Sequence, residues 1–515
     1  MRSIGFDNFR RYKKLDPLSF APITIFVGGN NSGKSTVVKG ILSVLEFFQK
    51  QADLDSVDEG EINDENSNEQ INNRDFREWL SHNQRFRFNT NYFAHIGTFK
   101  RALWCESESK EIAFRYSNGN WIFKICVKMD ENNDEATSGK VTRIVALHRF
   151  LMKFNFDLEE WSAAVTFKHD DPERWDERAD IANENNRRFY ERLAEYCRLV
   201  PEDMTLTFNL PDKIGTNHAF VMSDLISALI DTVEDMFNDG LRDYEDDGDG
   251  KDDRLVLDDE TRGIIKTHPF YSERFERLGI PAISPDKVEY IYAHAVTQSI
   301  IYSAKDTNDY LVKTVHDFAS RRIHGLRGER ASLYKFIIKW MKEFEIGMDY
   351  KVESVGGEAH TVKIKNGSGN WVNLADMGMG SIQLMILLFR IATILDDSKI
   401  SRTVILEEPE QNLHPKLQSK LADLLFEINQ KFGLRFIVET HSEYLIRKTQ
   451  VLVGENFNTT ESFKKNPFKV YYFPSDGHPY DMVYKPTGEF QEPFGDGFFD
   501  EAARLYMTVL QNANK

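Results

Sequence analysis

Cysteine is scarce. Cys105, Cys126 and Cys197 are the three in 515 residues, and they lie far apart with no paired spacing. That argues against a disulfide frame and a zinc site, and for a reducing cytosol. Long apolar runs are missing too. The longest, near Ile382 to Phe389, stops at Arg390, whereas a bilayer span needs roughly 20 apolar residues. Polar and basic residues from Asn8 to Lys14 stand where an apolar leader segment would run, so no signal peptide is expected. Sustained a/d heptads are absent between the first motif and residue 370, which excludes a long coiled-coil arm. Positive charge is the smaller share: 65 Lys and Arg against 82 Asp and Glu, a formal charge of −17. A whole-body electrostatic grip on nucleic acid is therefore not expected, while a local basic patch or a basic protein partner stays open. Residues 51–73 contain no Lys or Arg at all and read as a solvated acidic loop.

What is present is a globular composition, 41% hydrophobic and 29% charged. The length suffices for two to four units of ordinary domain size. The densest local signal is Gly28-Gly29-Asn30-Asn31-Ser32-Gly33-Lys34-Ser35, followed by Thr36. It matches G-x-x-x-x-G-K-[ST], a loop whose backbone N–H groups cradle phosphates. Its flanks agree with that reading. Pro22 to Val27 is an apolar, β-branched run suited to a buried strand, and Thr36 to Leu45 has helical apolar spacing. Gly28 and Gly33 permit the turn. Asn30, Asn31, Ser32, Gly33 and Thr36 line the loop, Lys34 reaches the β/γ oxygens, and Ser35 offers an oxygen to Mg²⁺.

Along the chain, Ile4 to Phe6 and Asn8 to Arg11 read as a strand and turn. Residues 90–130 read as an antiparallel sheet, with Trp121 to Val127 as one strand. Residues 142–285 are expected to be mostly helical, on the spacing of Asn183–Arg198 and Val221–Phe237. The stretch Asp243 to Asp253 resembles a calcium loop only superficially, because a loop starting at Glu245 reaches Val256 where a bidentate Glu belongs. Tyr334 to Ile346 has amphipathic helical spacing, and residues 349–373 read as a hairpin with Asn366-Gly367 as a turn signal.

Three further motifs fall within residues 373–442. Gly378-Met379-Gly380-Ser381 leads into a long apolar helix, a second anion-binding helix start. Thr403 to Leu406 is an apolar strand ending in Glu407 and Glu408. Glu407 would hold the metal or its water, and Glu408 would polarise the attacking water as catalytic base. Arg435 to Thr440 is a strand that delivers His441 to the carboxyl edge of the same sheet, where it would contact the γ-phosphate.

The order of these motifs resembles ABC-type ATPase heads of the SMC-like and OLD-like group. Glu407-Glu408-Pro409-Glu410-Gln411-Asn412-Leu413-His414-Pro415 and Glu439-Thr440-His441-Ser442-Glu443 are similar to the corresponding stretches of AAA_15-type ATPases. The Phe-rich end near Gly495 to Glu501 and the opening Asn8-Phe9-Arg10 also look like that group. The resemblance spans residues 1–50, 90–130 and 286–515 and is weak in the middle. It implies an α/β fold: an ABC-type head of mixed sheet flanked by helices, an antiparallel β subdomain and a helical insertion. The lobes would be 1–141 and 286–515, with the insertion at 142–285. It implies ATP and Mg²⁺ as ligands, with Arg10 near the base and ribose. It also implies a homodimer that sandwiches two ATPs, Gly378, Gly380 and Ser381 of one copy capping the γ-phosphate held by Lys34 of the other. One departure is Tyr290-Ile291-Tyr292-Ala293-His294-Ala295-Val296, where relatives often carry a Gly and an Arg. The glutamine that completes the metal shell in relatives has no clear place here; Asn91 to His95 is the candidate region.

Relatives of this kind serve as ATPase subunits of bacterial antiphage systems such as Septu and PARIS, paired with an HNH or Toprim nuclease and sometimes a retron. The resemblance therefore implies a cytoplasmic ATPase that controls an effector protein, with no membrane partner. About 65 residues follow Gln450, too few for a Toprim domain of the chain's own; Glu443 and Asp481 read as polar surface. The alternative is a DNA-tethering or repair ATPase of the SMC type, supported by Arg321, Arg322, Arg327 and Arg330.

Overall fold

The computed structural model describes residues 2–56, 85–89, 95–118, 121–129, 136–148, 152–160, 162–167, 205–209, 288–292, 301–303, 309–323, 325, 330–356, 359–397, 403–495 and 498–513. The chain divides into two compact units, one of residues 1–19 and 39–285, the other of 20–38 and 286–515. The division falls within one helix, Lys34–Ser56.

The first unit is an antiparallel sheet. Its strands run in the order Thr205–Asn209, Ser162–Phe167, Met152–Asp157, Ser138–His148, Trp121–Lys128, Glu111–Asn118, Ser3–Phe9 and Tyr12–Ser19, with Arg85–Arg87 paired to Ser138–His148. Aromatic rings fill one face of it. Phe86 and Phe114 stack at 4.4 Å between centroids, and Phe6 meets Phe114 edge-on at 5.7 Å. Phe48 of the helix lies 5.3 Å from Tyr116 and 5.4 Å from Phe123, which fixes the helix on the sheet. Gly40 is the close-approach position, since a Cβ there would collide with the Phe6 ring.

Two expectations are corrected here. Residues 51–56 belong to the helix Lys34–Ser56 and are not loop. No Gly or Pro falls between Gly40 and Gly60, so nothing local stops the helix earlier. The described parts of the expected helical insertion are strands: the end of Ser138–His148, then Met152–Asp157, Ser162–Phe167 and Thr205–Asn209. The reason is period-2 alternation, which buries Phe154 and Phe156 between polar neighbours. Asn183–Arg198, Val221–Phe237, the rest of the acidic loop and the stretch Asp243–Asp253 lie outside the described residues.

The second unit carries a six-stranded sheet. Its order is Val288–Ile291, Thr403–Glu407, Arg435–Thr440, Ile23–Gly28, Phe468–Phe473, Tyr480–Met482. The first five strands are parallel, and the last is antiparallel. Ile23–Gly28 lies at the centre, buried along its whole length. Each of Ile23, Ile25, Phe26 and Val27 is fully buried, a stabilisation of roughly 1.5–3 kcal/mol per large side chain. Helix Pro415–Phe432 starts on a proline and ends at Gly433 with φ 68°, the asymmetry expected of helix ends. Ser442 closes the strand before it and caps the helix Glu443–Asn456, its oxygen accepting from the Leu445 N–H at 3.1 Å.

A smaller sheet pairs Asp349–Val355, Ala359–Lys365, Tyr302–Ser303 and Trp371–Asn373. The Asn366-Gly367 turn falls between Ala359–Lys365 and Trp371–Asn373. Helix Met379–Asp396 is long and apolar enough by composition to cross a membrane. Its residues Ile382 and Leu384 to Phe389 are part of this unit's core. Arg390 on that helix grips Glu289 with two nitrogens at 2.7 and 2.6 Å and Asp317 with the third at 2.9 Å.

Candidate functional site

Three neighbouring parallel strands end side by side, and their order sets the site. Ile23–Gly28 delivers the phosphate loop, Arg435–Thr440 delivers Glu439 and His441, and Thr403–Glu407 delivers Glu407 and Glu408. In register, Glu407 stands beside Glu439, and Glu439 beside Phe26. The carboxyl edge of a parallel sheet is where ligands of this fold class bind.

The loop is built for close approach. A Cβ on Gly28 would run into the Phe473 carbonyl, and Gly33 takes φ 106°. Asn31 adopts φ 60°. Thr36 and Val37 donate to the Gly33 carbonyl at 3.1 and 3.2 Å, which starts the helix at Lys34. The N–H groups ahead of them face outward without intrahelical partners, the arrangement that binds anions. Asn30 and Asn31 are exposed; Ser32 and Thr36 are buried.

Lys34 is 3% exposed, and its ammonium donates to the carbonyls of Gly28 (3.1 Å) and Gly29 (2.9 Å). Burial pushes its pKa down, against the pull of Glu439, Glu408 and Glu410. The Ser35 hydroxyl donates to Glu439 Oε1 at 2.7 Å. Glu439 is 2% exposed, and its Oε2 has no protein partner. Burial lifts its pKa to about 7, with Glu407 and Glu408 pushing the same way and Ser35 and Lys34 opposing.

Glu407 accepts a hydrogen bond from the Tyr290 hydroxyl at 2.6 Å. Glu408 bends away in a left-handed conformation (φ 44°), its N–H donating to the Glu439 carbonyl at 2.8 Å. Its carboxylate accepts from Gln411, and His441 Nε2 lies 3.6 Å from its Oε1. Glu410 is buried and accepts from the His441 N–H at 2.7 Å, which fixes the histidine's backbone. Burial also lowers the His441 pKa, helped by Lys34, so the imidazole is neutral at pH 7.

The structure thus gathers Lys34, Ser35, Glu407, Glu408 and His441 into one cluster. Gly378, Gly380 and Ser381 stand at the start of helix Met379–Asp396, which packs on the loop after Glu408: Gln383 donates to the Pro409 carbonyl at 3.3 Å. There a Cβ on Gly380 would meet the Asn412 carbonyl at 2.6 Å. Gly378 is exposed and Ser381 half-buried. Arg10 belongs to the first unit, in the turn after Ser3–Phe9, with φ 51° and its N–H bonded to Ala102. Residues 91–94 of the candidate glutamine region lie outside the described residues.

Sequence reading missed Glu439, Glu410 and Tyr290 as site residues. The signal for Glu439 was an acid two residues before His441, at the buried end of an apolar strand. The fold also supplies partners to the basic cluster. Arg321 pairs with Asp396 (3.5 Å) and Asp397 (3.0 Å), and Arg330 with Asp396 (2.6 Å). Those two guanidinium groups are satisfied within the fold, while Arg327 lies outside the described residues.

The fit of a metal can be judged from the donors. Three carboxylates (Glu408, Glu410, Glu439) act on one lysine, and Glu407 adjoins Glu439 on the next strand. A hydroxyl at Ser35 and a buried carboxylate oxygen without a protein partner stand beside a phosphate loop. Among the described residues no group of three or more His, Cys, Asp or Glu is arranged to hold a metal alone. Magnesium is commonly bound by one or two protein ligands plus substrate phosphates, so this donor set fits Mg²⁺ arriving with a nucleotide.

The sequence matches the AAA_15 family, described as an AAA ATPase domain, over residues 1–446. The chain belongs to the AAA_15 family. A search of curated proteins finds no match. Among solved structures, this AAA_15 chain is similar to the Smc head domain of Pyrococcus furiosus, solved with an extended coiled coil and bound to the C-terminal domain of ScpA. That likeness has 10% identity, covers 100% of this chain and 99% of that one, and has a TM-score of 0.31. The SMC head domain from Thermotoga maritima is similar at 8% identity, covering 94% of this chain and 100% of that one, with a TM-score of 0.30.

Proposed function

We propose that this AAA_15 chain binds Mg²⁺–ATP at the cluster around Lys34 and hydrolyses it between two copies of itself. The observation that carries the reading is the meeting of Lys34 and Ser35 with Glu407, Glu408 and His441 at one sheet edge. Lys34 exchanges its two carbonyl acceptors for β/γ phosphate oxygens, and the loop N–H groups hold the remainder. Ser35 and Glu407 hold the cation, which supplies charge neutralisation on the phosphoryl oxygens. Glu408 orients and deprotonates the attacking water. His441, neutral and fixed by Glu410, contacts the γ-phosphate. Asn30, Asn31, Ser32, Gly33 and Thr36 complete the phosphate cradle.

Gly378, Gly380 and Ser381 begin a helix and are not among the hydrogen-bond partners of Lys34, and Gly378 is exposed. Their exposed helix start suits a γ-phosphate bound to a second copy, which makes closure depend on ATP. The closed homodimer would hold or cover a cytoplasmic effector, such as an HNH or Toprim nuclease of an antiphage system. Loss of ATP or a phage-derived trigger would release it, as a population shift between open and closed dimers. The SMC-type DNA-tethering reading is the weaker one, since Arg321 and Arg330 are already paired with acids. Co-expression with the neighbouring gene product tests the effector reading. Co-purification that depends on ATP and on Lys34 is expected; a chain that never co-purifies with a nuclease or toxin removes it.

A further inference from the structure

We propose that Glu439 is the positioning residue of the site, its side chain setting Ser35 as a cation ligand and its main chain setting Glu408. The inference rests on the nucleotide reading above. Neighbouring strands lie about 4.8 Å apart, so Glu407, two strands from the phosphate loop, has Glu439 between it and Ser35.

A serine hydroxyl has one proton and two lone pairs. In this structure the proton is spent on Glu439 Oε1 at 2.7 Å. What Ser35 has left is lone pairs, which is what a hard cation takes. The same residue's carbonyl accepts the Glu408 N–H at 2.8 Å. That bond anchors the left-handed bend (φ 44°) that turns Glu408 out of the strand.

Within the chain the charge of Glu439 is opposed by Glu407 and Glu408 and countered by Lys34, on which Glu408 and Glu410 also draw. A glutamine would accept the Ser35 proton equally well and would not bury a carboxylate at 2% exposure. Burying a charge costs far more than burying an amide. Glu439 Oε2, buried without a protein partner, is the acceptor left over for the cation's hydration shell. Lys34 is shared among Glu439, Glu408 and Glu410, so a cation at Glu439 Oε2 would offset the negative charge left over.

Titration calorimetry of Glu439→Gln with ATP, in EDTA and in Mg²⁺, tests this, alongside thermal melting without ligand. Expected is unchanged ATP affinity in EDTA and a melting temperature equal to or above wild type. The extra affinity that Mg²⁺ confers should fall by about 10- to 100-fold, the usual cost of removing an outer partner of a metal ligand. Ser35→Ala should lose the same increment, and adding Glu439→Gln to it should cost little more, because both act on one contact. Glu439→Asp, shorter and withdrawn from Ser35, should show the same loss without altering charge. A wild-type Mg²⁺ increment in Glu439→Gln and Glu439→Asp overturns the inference and leaves the nucleotide site standing. An equal loss with and without Mg²⁺, or a lowered melting temperature, assigns Glu439 to the fold and also overturns it. If wild type itself gains nothing from Mg²⁺, the underlying reading falls with it.

Discussion

His441 Nε2 stands 3.6 Å from Glu408 Oε1, with the histidine's own N–H held by Glu410 at 2.7 Å. The distance is too long for a hydrogen bond, so the two groups do not satisfy each other. His441→Ala should therefore leave ATP affinity near wild type and lower kcat by about 100-fold, the cost of losing one oriented donor to the transferring group. Steady-state phosphate release with nucleotide titration checks it, and a fall in affinity alone would place His441 in ground-state binding.

Lys34 is nearly buried and bonded to its own loop. Replacing it by alanine removes a charged donor to phosphate, worth roughly 1.5–3 kcal/mol. Lys34→Ala should weaken ATP binding by about 10- to 150-fold, measured by calorimetry, with melting of the ligand-free chain showing that the fold persists.

Ser381 is half-buried in the first turn of helix Met379–Asp396, whose leading residue Gly378 is exposed. Ser381→Arg should bind ATP as a monomer with wild-type affinity and fail to dimerise on ATP. Sedimentation of the Glu408→Gln chain with and without Ser381→Arg checks this. A double variant that still dimerises removes Ser381 from the closing surface.

The raised pKa of Glu439, about 7 against an ordinary 4.5, ties ligand-free stability to pH. Between those values the unfolded chain has lost the proton and the folded chain keeps it. Stability should then fall as pH rises from about 4.5 to about 7 and level off above, since the state binding more protons loses ground with rising pH. Chemical denaturation across that range checks the sign, and Glu439→Gln should flatten the fall.

The phosphate loop was legible because its chemistry is local: fixed spacing in Gly28 to Ser35 dictates the turn, and the flanking strand and helix follow from apolar periodicity. The ends of Thr403–Glu407 and Arg435–Thr440 were legible for the same reason. Glu439 was not, because its partner Ser35 is 404 residues away in sequence. Its role appears only when strand order places it between two others. Strands at Met152–Asp157 and Ser162–Phe167 were hidden by shortness, since an alternation of six residues competes poorly with longer helical patterns beside it. For Arg321 and Arg330 the sequence shows only a basic cluster, and the fold supplies its partners, Asp396 and Asp397.

The account stands most directly on Glu408, whose single role is the base. ATP binding and phosphate release should be measured on the same preparations of wild type and Glu408→Gln, with Mg²⁺ present. The account predicts wild-type affinity in the variant and phosphate release slowed by about 10²- to 10⁴-fold. Glu408→Gln turning over ATP at the wild-type rate would contradict it.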